Sequence, residues 1–532
     1  MAIMERPKVE TLSDGGKYWE HEYEDFYLKA YIPKTQIDGT VNNYTFKQPL
    51  LLIFEEVYTS KEEAINFANK NGFADIAADY DSSVLFVYPK CAGGWKGATE
   101  SLYAAVIKQV KMTPEYRDGI TEYTDFFKNV FMGYSIRGAI FRADVYSYGE
   151  SADYVATNLL KKIDGEYLWG PGEITPAMCS MEGLSVIPQV ERRDIAIISV
   201  GNSETVNSVF KESQHMLIKD KAEYKADFKN FVRKFKMWCG QQQIEVDFDA
   251  IGMTEEAGVT EVNTSKDNKR IKTPKHKIGY FAYYNNDLFE NGPVPLLIGF
   301  HGGGDSSMYL SYVAQWWEIC HRYGFLFVSL ENHQFIPATE VAEVIENLKK
   351  KYNIDEKRIY ATGFSMGSGK TWEMYQEYPE IFAGLAPVSA MFPVKNHFLS
   401  QSNSGRLNMD VSVPLFYSGG ECSFVTELPC MDESGLERIQ YIAKVNKLKA
   451  KFDISFDKKD EWADPIWGVS GDRVEVVHDD SRGSDLKIHY YESEDGICRT
   501  AFASVTGQVH ECRHHSCEEA WKFISLFEKS TK

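Results

Sequence analysis

The sequence predicts an α/β protein made of two units, each a mostly parallel sheet flanked by helices. The chain has 532 residues, more than one ordinary hydrophobic core accommodates. Short apolar runs, PLLLIF at 49–54 and PLLIGF at 295–300, are typical of strands buried on both faces. A helical pattern and a second apolar run follow each of them. We therefore expect two similar units in succession.

The order of elements repeats further along both halves. A glycine turn before a helical pattern occurs as SYGES at 147–151 and as GFSMG at 363–367. From Gly149 to Gly201 there are 52 positions, and from Ser365 to Gly419 there are 54. We predict a first unit at 1–240, a polar linker at 241–270 and a second unit at 271–532.

The charge of the chain argues against polyanionic partners. Its net charge of −19 arises from 77 acidic and 58 basic side chains, without a long basic run. Nucleic acid and anionic membranes attract clustered positive charge, so neither is an expected partner. No apolar run is long enough for a signal peptide or a membrane span, which favours a cytoplasmic location.

The cysteines predict neither a disulfide framework nor a metal site. Nine cysteines are scattered along the chain, and an odd, dispersed set is typical of reduced thiols. The segment HECRHHSC at 510–517 lacks the paired spacing of structural zinc sites. We expect no bound metal and no organic cofactor.

The stretch GFSMGSGKT at 363–371 has two interpretations. A phosphate-binding loop needs four residues between its glycines, but five separate Gly363 from Gly369. The alternative is the G-x-S-x-G turn, in which Gly363 and Gly367 permit a sharp bend that exposes Ser365 as a nucleophile. The spacing favours the serine.

An H-G-G-G run after the buried strand at 295–300 predicts an oxyanion hole. Backbone N–H groups of Gly303 and Met366 are the expected donors to a tetrahedral intermediate. His301, Gly302 and Gly304 would support that loop, and His301 is expected to be structural and not a base.

The acid should follow Ser365 in the chain and precede the base. Glu421 comes directly after the predicted strand at 414–417, where a carboxylate can leave the sheet edge. We predict Glu421 as the acid, with Glu427, Asp432 and Asp472 as alternatives.

The base should lie in the loop after the last strand. RTAFASV at 499–505 is a predicted strand, and an amphipathic helix is predicted at 517–527. His510 lies between them and is the predicted base, whereas His514 and His515 lie nearer the helix.

With HGGG, GFSMG, SGGE and a late histidine in this order, residues 271–532 resemble α/β-hydrolase serine esterases of the polyhydroxybutyrate-depolymerase and feruloyl-esterase type. The chain departs from that family at Val509, where glycine is common, and at Glu421, where aspartate is expected. The resemblance implies an acyl-enzyme on Ser365. It also implies small-acyl, hydroxycinnamoyl or hydroxyalkanoate esters, small or oligomeric, as substrates.

The first half resembles a degenerate copy of that fold. Gly149 stands in the position of the nucleophile, and EEVY at 55–58 replaces the H-G-G-G run. Since glycine cannot attack an ester and carboxylates repel an oxyanion, we predict no catalysis there. Scaffolding, dimer contacts or a wall of the cleft are the expected roles, and association into a homo-oligomer stays open.

Two other functions remain alternatives, namely a prolyl-oligopeptidase-like serine peptidase and a noncatalytic binding protein. Specificity would come from the long segments 391–407 and 428–467, which are long enough for a partial cap. Their aromatic residues are candidates either for the core or for a ligand wall: Phe392, Phe398, Tyr441, Trp462 and Trp467.

Overall fold

The chain divides into two compact units, Met1–Val246 and Asp247–Lys532. The computed structural model describes residues 8–36, 48–112, 136–167, 170–238, 240–303, 307–331, 333, 336–390, 407–479 and 483–529.

The first unit alternates strands with short helices. Its strands are β1 (Glu10–Thr11), β2 (Lys17–Glu22), β3 (Phe26–Ile32), β4 (Leu50–Phe54), β5 (Val84–Pro89), β6 (Ala143–Tyr148), β7 (Asp164–Tyr167), β8 (Gly170–Glu173), β9 (Met178–Glu182), β10 (Ala196–Val200), β11 (Met216–Lys219), β12 (Phe235–Trp238) and β13 (Gln241–Ile244). Its helices are α1 (Lys61–Lys70), α2 (Phe73–Asp79), α3 (Leu102–Met112), α4 (Glu150–Asn158), α5 (Glu204–Phe210) and α6 (Tyr224–Asn230).

Nine of these strands form one sheet in the order β1-β2-β3-β5-β4-β6-β9-β10-β11. The six strands from β5 to β11 in that order are parallel, and β1, β2 and β3 extend the sheet in antiparallel fashion. The central β4, LLLIF, is buried along its whole length, as expected for a strand covered on both faces.

The second unit is built in the same manner. Its strands are β14 (Met253–Asn263), β15 (Lys275–Asn285), β16 (Val294–Phe300), β17 (Leu326–Leu330), β18 (Ile354–Phe364), β19 (Gly384–Val388), β20 (Leu415–Gly420), β21 (Arg473–Asp479), β22 (Ser484–Glu492) and β23 (Cys498–Val505). Its helices are α7 (Ser307–Val313), α8 (Trp316–Tyr323), α9 (Ala338–Lys351), α10 (Met366–Glu377), α11 (Glu433–Val445) and α12 (His514–Ile524).

All ten strands of this unit form one sheet, in the order β14-β15-β17-β16-β18-β19-β20-β23-β22-β21. Its six central strands, β17 to β23 in that order, are parallel. They follow one another as the parallel strands of the first unit do, since β5-β4-β6-β9-β10-β11 corresponds to β17-β16-β18-β19-β20-β23. The predicted fold class, two α/β units with mostly parallel sheets, is confirmed.

The segment predicted as a linker at 241–270 differs from that expectation. Gln241–Ile244 is β13, which forms a hairpin with β12 in the first unit. Met253–Asn263 is β14 and pairs with β15 along all eleven residues. Its polar residues are consistent with an edge strand that has a solvent-exposed face, because only Met253, Gly258 and Val262 are buried. The division between the units falls along the chain between Val246 and Asp247.

A large hydrophobic core of the second unit contains two of the aromatic residues that the sequence offered as either core or cap. Trp467 is fully buried, and its ring stacks on Phe502 with centroids 5.2 Å apart. Tyr441 is also buried. Phe392 and Phe398 lie outside the described residues. No helix in the described part of the chain is long and apolar enough to cross a membrane.

We expect Trp467→Ala to lower the free energy of unfolding of the second unit by about 3–5 kcal/mol, because it removes a buried indole and leaves a cavity. Hydrogen exchange of peptides from 413–505 under denaturant would measure the loss. Leu526→Ala removes a side chain that is 76% exposed, so its cost should stay within about 0.5 kcal/mol. Equal effects of the two changes would contradict the core assignment.

Candidate functional site

Ser365 lies at the sharp turn between β18 and α10. Its backbone has φ +54° and ψ −111°, a conformation that costs a non-glycine residue about 1–3 kcal/mol. The Ser365 N–H donates to the carbonyl of Val388 on the neighbouring strand at 3.1 Å, which fixes the turn to the sheet. This hydrogen bond helps to maintain the strained conformation. The turn presents the Ser365 hydroxyl at the carboxyl end of the sheet.

Two glycines make this turn possible through close packing. A Cβ on Gly363 would lie 2.2 Å from the carbonyl oxygen of Gly367. A Cβ on Gly367 would lie 1.9 Å from the carbonyl oxygen of Phe300. No side chain fits at either distance, so both predicted supporting glycines lie where the structure requires them.

His510 lies next to Ser365, as the sequence predicts. Its Nε2 is 2.8 Å from Ser365 Oγ, and its Nδ1 is 2.6 Å from Glu427 Oε1. A carboxylate only accepts hydrogen bonds, so Nδ1 carries the proton and Nε2 accepts from the serine hydroxyl. The ring packs beside Phe364 and Phe424, with centroids 5.0 and 5.3 Å away.

Glu427 is the carboxylate of the site and is fully buried. Its Oε2 accepts the backbone N–H of Gly420 at 2.5 Å, while Oε1 accepts from His510. The Tyr417 hydroxyl donates to the Glu427 carbonyl at 2.5 Å and fixes the backbone. Both carboxylate oxygens are hydrogen-bonded, which a buried charge needs in order to persist.

The prediction of Glu421 as the acid is corrected by this geometry. The Glu421 N–H continues the sheet ladder to Val505 at 3.1 Å, and its carboxylate accepts from the Ser504 hydroxyl at 2.9 Å. It therefore faces β23 and not the histidine. The chain turns after β20, at Glu421 and Cys422, and returns, so that Glu427, six positions after Glu421, reaches the site.

The other two alternatives have different partners. Asp432 caps α11 by accepting the N–H of Gly435 at 3.0 Å. Asp472 accepts the N–H of Glu492 at 2.7 Å. The sequence offered Glu427 only as one of the alternatives to Glu421, since TELP at 426–429 does not distinguish its carboxylate from the others.

The H-G-G-G loop lies against the serine turn. A Cβ on Gly303 would be 2.3 Å from the sulfur of Met366, so the two predicted oxyanion donors are neighbours. The N–H of Met366 is also the first of α10, one of the helix N–H groups without an acceptor inside the helix. Gly304 lies outside the described residues.

His301 and His333 support this loop from behind. Nε2 of His333 lies 2.7 Å from the carbonyl oxygen of His301, and Nδ1 of His301 lies 2.7 Å from that of Gly302. Burial lowers the pKa of both imidazoles, and the positive charge of Lys370 lowers that of His333 further. His301 is buried in the loop support, as predicted, while no sequence motif pointed to His333.

Lys370, the lysine of the rejected phosphate-loop interpretation, points into the protein. It is buried, and its Nζ donates to Glu373 at 2.5 Å and to the carbonyl of Ile336 at 2.7 Å. A buried lysine that is paired with Glu373 is not available to bind a phosphate at the loop, which agrees with the spacing argument.

The other residues of the segment 510–517 have structural contacts. Arg513 pairs with the buried carboxylate of Glu511 and donates to the Ser484 hydroxyl at 2.7 Å. Cys512 and Cys517 are buried with their sulfurs 3.5 Å apart. No group of three or more potential metal ligands occurs within the described ranges.

The arrangement is that of a nucleophilic serine with a base and an orienting acid. The imidazole can take the proton of Ser365 as the hydroxyl attacks, and Glu427 can stabilise the resulting imidazolium. The N–H groups at the start of α10 have no acceptor inside the helix and can donate to a negative charge that forms on an acyl oxygen. The site can therefore perform acyl transfer.

No family model matches the chain. Over 135 residues the chain is 33% identical to a bifunctional acetylxylan esterase/xylanase of Neocallimastix patriciarum, a match that covers 24% of this chain and 20% of that protein. Over 52 residues it is 38% identical to poly(3-hydroxyalkanoate) depolymerase C of Paucimonas lemoignei, covering 10% of this chain and 13% of that one. The chain thus spans a fifth or less of these curated relatives.

Among solved structures, an acetyl xylan esterase from Aspergillus awamori matches with a TM-score of 0.34 and 14% identity. That match covers 51% of this chain and 99% of the esterase.

We expect Glu427→Gln to slow covalent labelling of Ser365 by a fluorophosphonate by roughly 10²–10⁴-fold, since an amide neither fixes the imidazole tautomer nor stabilises imidazolium. Glu421→Gln is the matched control, and its labelling rate should stay within about twofold of wild type. The rates are measured from the increase in protein mass with time. A slower reaction of Glu421→Gln than of Glu427→Gln would restore the original assignment.

We also expect the neutral state of His333 to make stability depend on pH. A histidine whose pKa is lower in the folded than in the unfolded chain destabilises the fold as pH falls below about 6.5, by up to about 1.4 kcal/mol per pH unit. His333→Gln retains an N–H donor but does not titrate. Its free energy of unfolding should fall less steeply than that of wild type between pH 7.5 and 5.5, and parallel curves from urea denaturation would contradict this.

Proposed function

We propose that the chain is a serine esterase that cleaves carboxylic esters through an acyl-enzyme on Ser365. The observation that carries this proposal is the continuous chain of hydrogen bonds from Ser365 Oγ through His510 to the buried Glu427. The partial matches to an acetylxylan esterase and a polyhydroxyalkanoate depolymerase support an ester substrate.

Acylation begins when Ser365 Oγ attacks the ester carbonyl and His510 Nε2 takes the hydroxyl proton. The tetrahedral oxyanion is stabilised by the N–H groups of Gly303 and Met366, each worth roughly a hundredfold or more in rate. His510 then gives the proton to the leaving alcohol, and the acyl group remains on the serine.

Deacylation repeats these steps with water. His510 takes a proton from the water that attacks the acyl-serine, the oxyanion forms in the same hole, and collapse releases the acid and restores Ser365. Glu427 accepts from Nδ1–H throughout, so the imidazole stays in one orientation. The proton of Ser365 thus leaves with the alcohol, and His510 passes a proton from water to Ser365 Oγ to restore the hydroxyl.

The substrates we propose are small-acyl, hydroxycinnamoyl or hydroxyalkanoate esters, either small or oligomeric. Phe424 supports an apolar or aromatic acyl group, because its ring lies beside His510 and is 53% exposed. We place the activity in the second unit alone and propose that the first unit is noncatalytic. A cytoplasmic location remains part of the proposal.

We expect a fluorophosphonate probe to label wild type and Ser368→Ala but not Ser365→Ala. Ser368 is a matched control, since it lies in α10 three residues after Ser365 and its hydroxyl donates to the Ala390 carbonyl at 2.9 Å. Hydrolysis of 4-nitrophenyl acetate should fall by at least about 1,000-fold in Ser365→Ala. Labelling that persists in Ser365→Ala would refute the nucleophile.

A panel of substrates then tests the reaction class. Methyl ferulate, a 3-hydroxybutyrate ester and a peptide 4-nitroanilide would be compared by kcat/KM. We expect an ester to be the best substrate. Preference for the anilide would favour the peptidase alternative, and inertness towards every substrate and the probe would favour a noncatalytic binding protein.

A further inference from the structure

A cavity of about 660 Å³ lies in the first unit, at the carboxyl ends of β4, β6 and β9. It is lined by the residues that follow these strands and by α1, whose residues form one wall. We propose that this cavity binds a small organic cation, an ammonium group on an apolar or aromatic body. This inference does not depend on the proposed esterase activity.

The position of the cavity is one where open parallel sheets bind ligands. From β4 the chain proceeds to β5 on one side, whereas β6 pairs on the other side of β4. Loops leave the sheet in opposite directions at such a reversal, and the crevice between them is the usual ligand site of the architecture. The volume also lies within the range typical of small-molecule sites.

The backbone at this point has the shape of a serine turn without a serine. Gly149 has φ +51° and ψ −123°, close to the values of Ser365. A Cβ on Gly149 would be 2.1 Å from Oε1 of Glu56, so a carboxylate occupies the space that a nucleophile's side chain would take. The missing hydroxyl is replaced by negative charge.

The charged side chains lining the cavity are carboxylates. Three of them have internal partners: Glu55 accepts from the Lys29 ammonium at 2.7 Å, Glu63 from the Ser60 hydroxyl at 2.8 Å and Glu182 from the Tyr224 hydroxyl at 3.2 Å. The fourth, Glu56, is exposed. No lysine or arginine belongs to the described lining. Glu56 and Glu182 therefore favour a cation and repel an anion.

Aromatic and aliphatic side chains form the rest of the lining. Phe67 packs edge-on against Tyr148 at 5.6 Å and against Phe86 at 6.3 Å between centroids. Aromatic rings attract ammonium groups through their quadrupoles and also bury an apolar body. A ligand that is complementary to both the carboxylates and the apolar side chains carries an amine or quaternary ammonium group on a small hydrocarbon.

Isothermal titration of the full chain with three probes of one shape tests the proposal: 2-phenylethylamine, 2-phenylethanol and phenylacetate. We expect the amine to bind at one equivalent, the alcohol at least about tenfold more weakly, and phenylacetate not at all. The double variant Glu56→Gln/Glu182→Gln should bind the amine at least about tenfold more weakly, because the two changes remove two charges and preserve the shape of the side chains. Glu150→Gln is the matched control and should bind like wild type, since Glu150 pairs with Lys96 and does not line the cavity.

Several results would overturn the proposal. Equal binding of alcohol and amine would make the cavity a site for neutral ligands such as sugars. Unchanged amine binding in the double variant would place the ligand elsewhere, as would a loss of binding in Glu150→Gln. Absence of amine binding up to about 10 mM would mean that the cavity takes no such cation. If the double variant fails to fold, the exposed Glu56→Gln alone serves, with an expected loss of at least about threefold.

Discussion

The site of the second unit depends on a carboxylate that two hydrogen bonds hold in place away from water. Glu427 is fully buried, and burial of an unpaired charge would cost several kcal/mol. The N–H of Gly420 and the imidazole of His510 compensate for that cost with two directed hydrogen bonds. Each bond also holds its donor in place. The orientation of the histidine, and with it the reactivity of Ser365, follows from the loop that returns Glu427 to the sheet edge.

A second constraint is the close approach of backbone to backbone around the serine. The carbonyl of Phe300 lies so near Gly367 that no side chain would fit between them, and Gly303 lies equally near the Met366 side chain. Because these glycines have no side chains, the oxyanion loop after β16 packs directly against the turn that carries Ser365. His333 completes the arrangement by holding the His301 carbonyl, so that the loop is supported on both sides.

Much of this organisation could be predicted from sequence, because buried parallel strands and glycine turns have local signatures. The pattern identified β4, β16 and the serine turn, and it located His510 from the strand before it and the helix after it. Glu421 was predicted in place of Glu427 because position after a strand does not reveal how far a loop returns. His333 had no signal, since its partner is a backbone carbonyl. The edge strand β14 was predicted as a linker, because its solvent-exposed face consists of polar residues and leaves no apolar run in the sequence.

The relation between the two units remains a prediction about ancestry, although strand order and turn geometry agree between them. The agreement at Gly149 and Ser365 is informative, since the two units have the same turn conformation although the first has no serine there. Glycine adopts the positive φ without the cost that serine bears there. The first unit thus has this turn without the strain that serine bears, beside a crevice lined in part by carboxylates.

The sheet order of the second unit also governs when the site can first exist during synthesis. Strand β23 lies between β20 and β22, both of which precede it in the chain, and His510 follows β23 by a short loop. The ribosome therefore delivers the nucleophile, the oxyanion loop and the acid before the base. While the last strand has yet to enter its gap, the nascent chain holds a serine turn that nothing activates. Hydrolysis would begin only when the sheet is closed, so the topology itself delays the chemistry until folding is nearly complete.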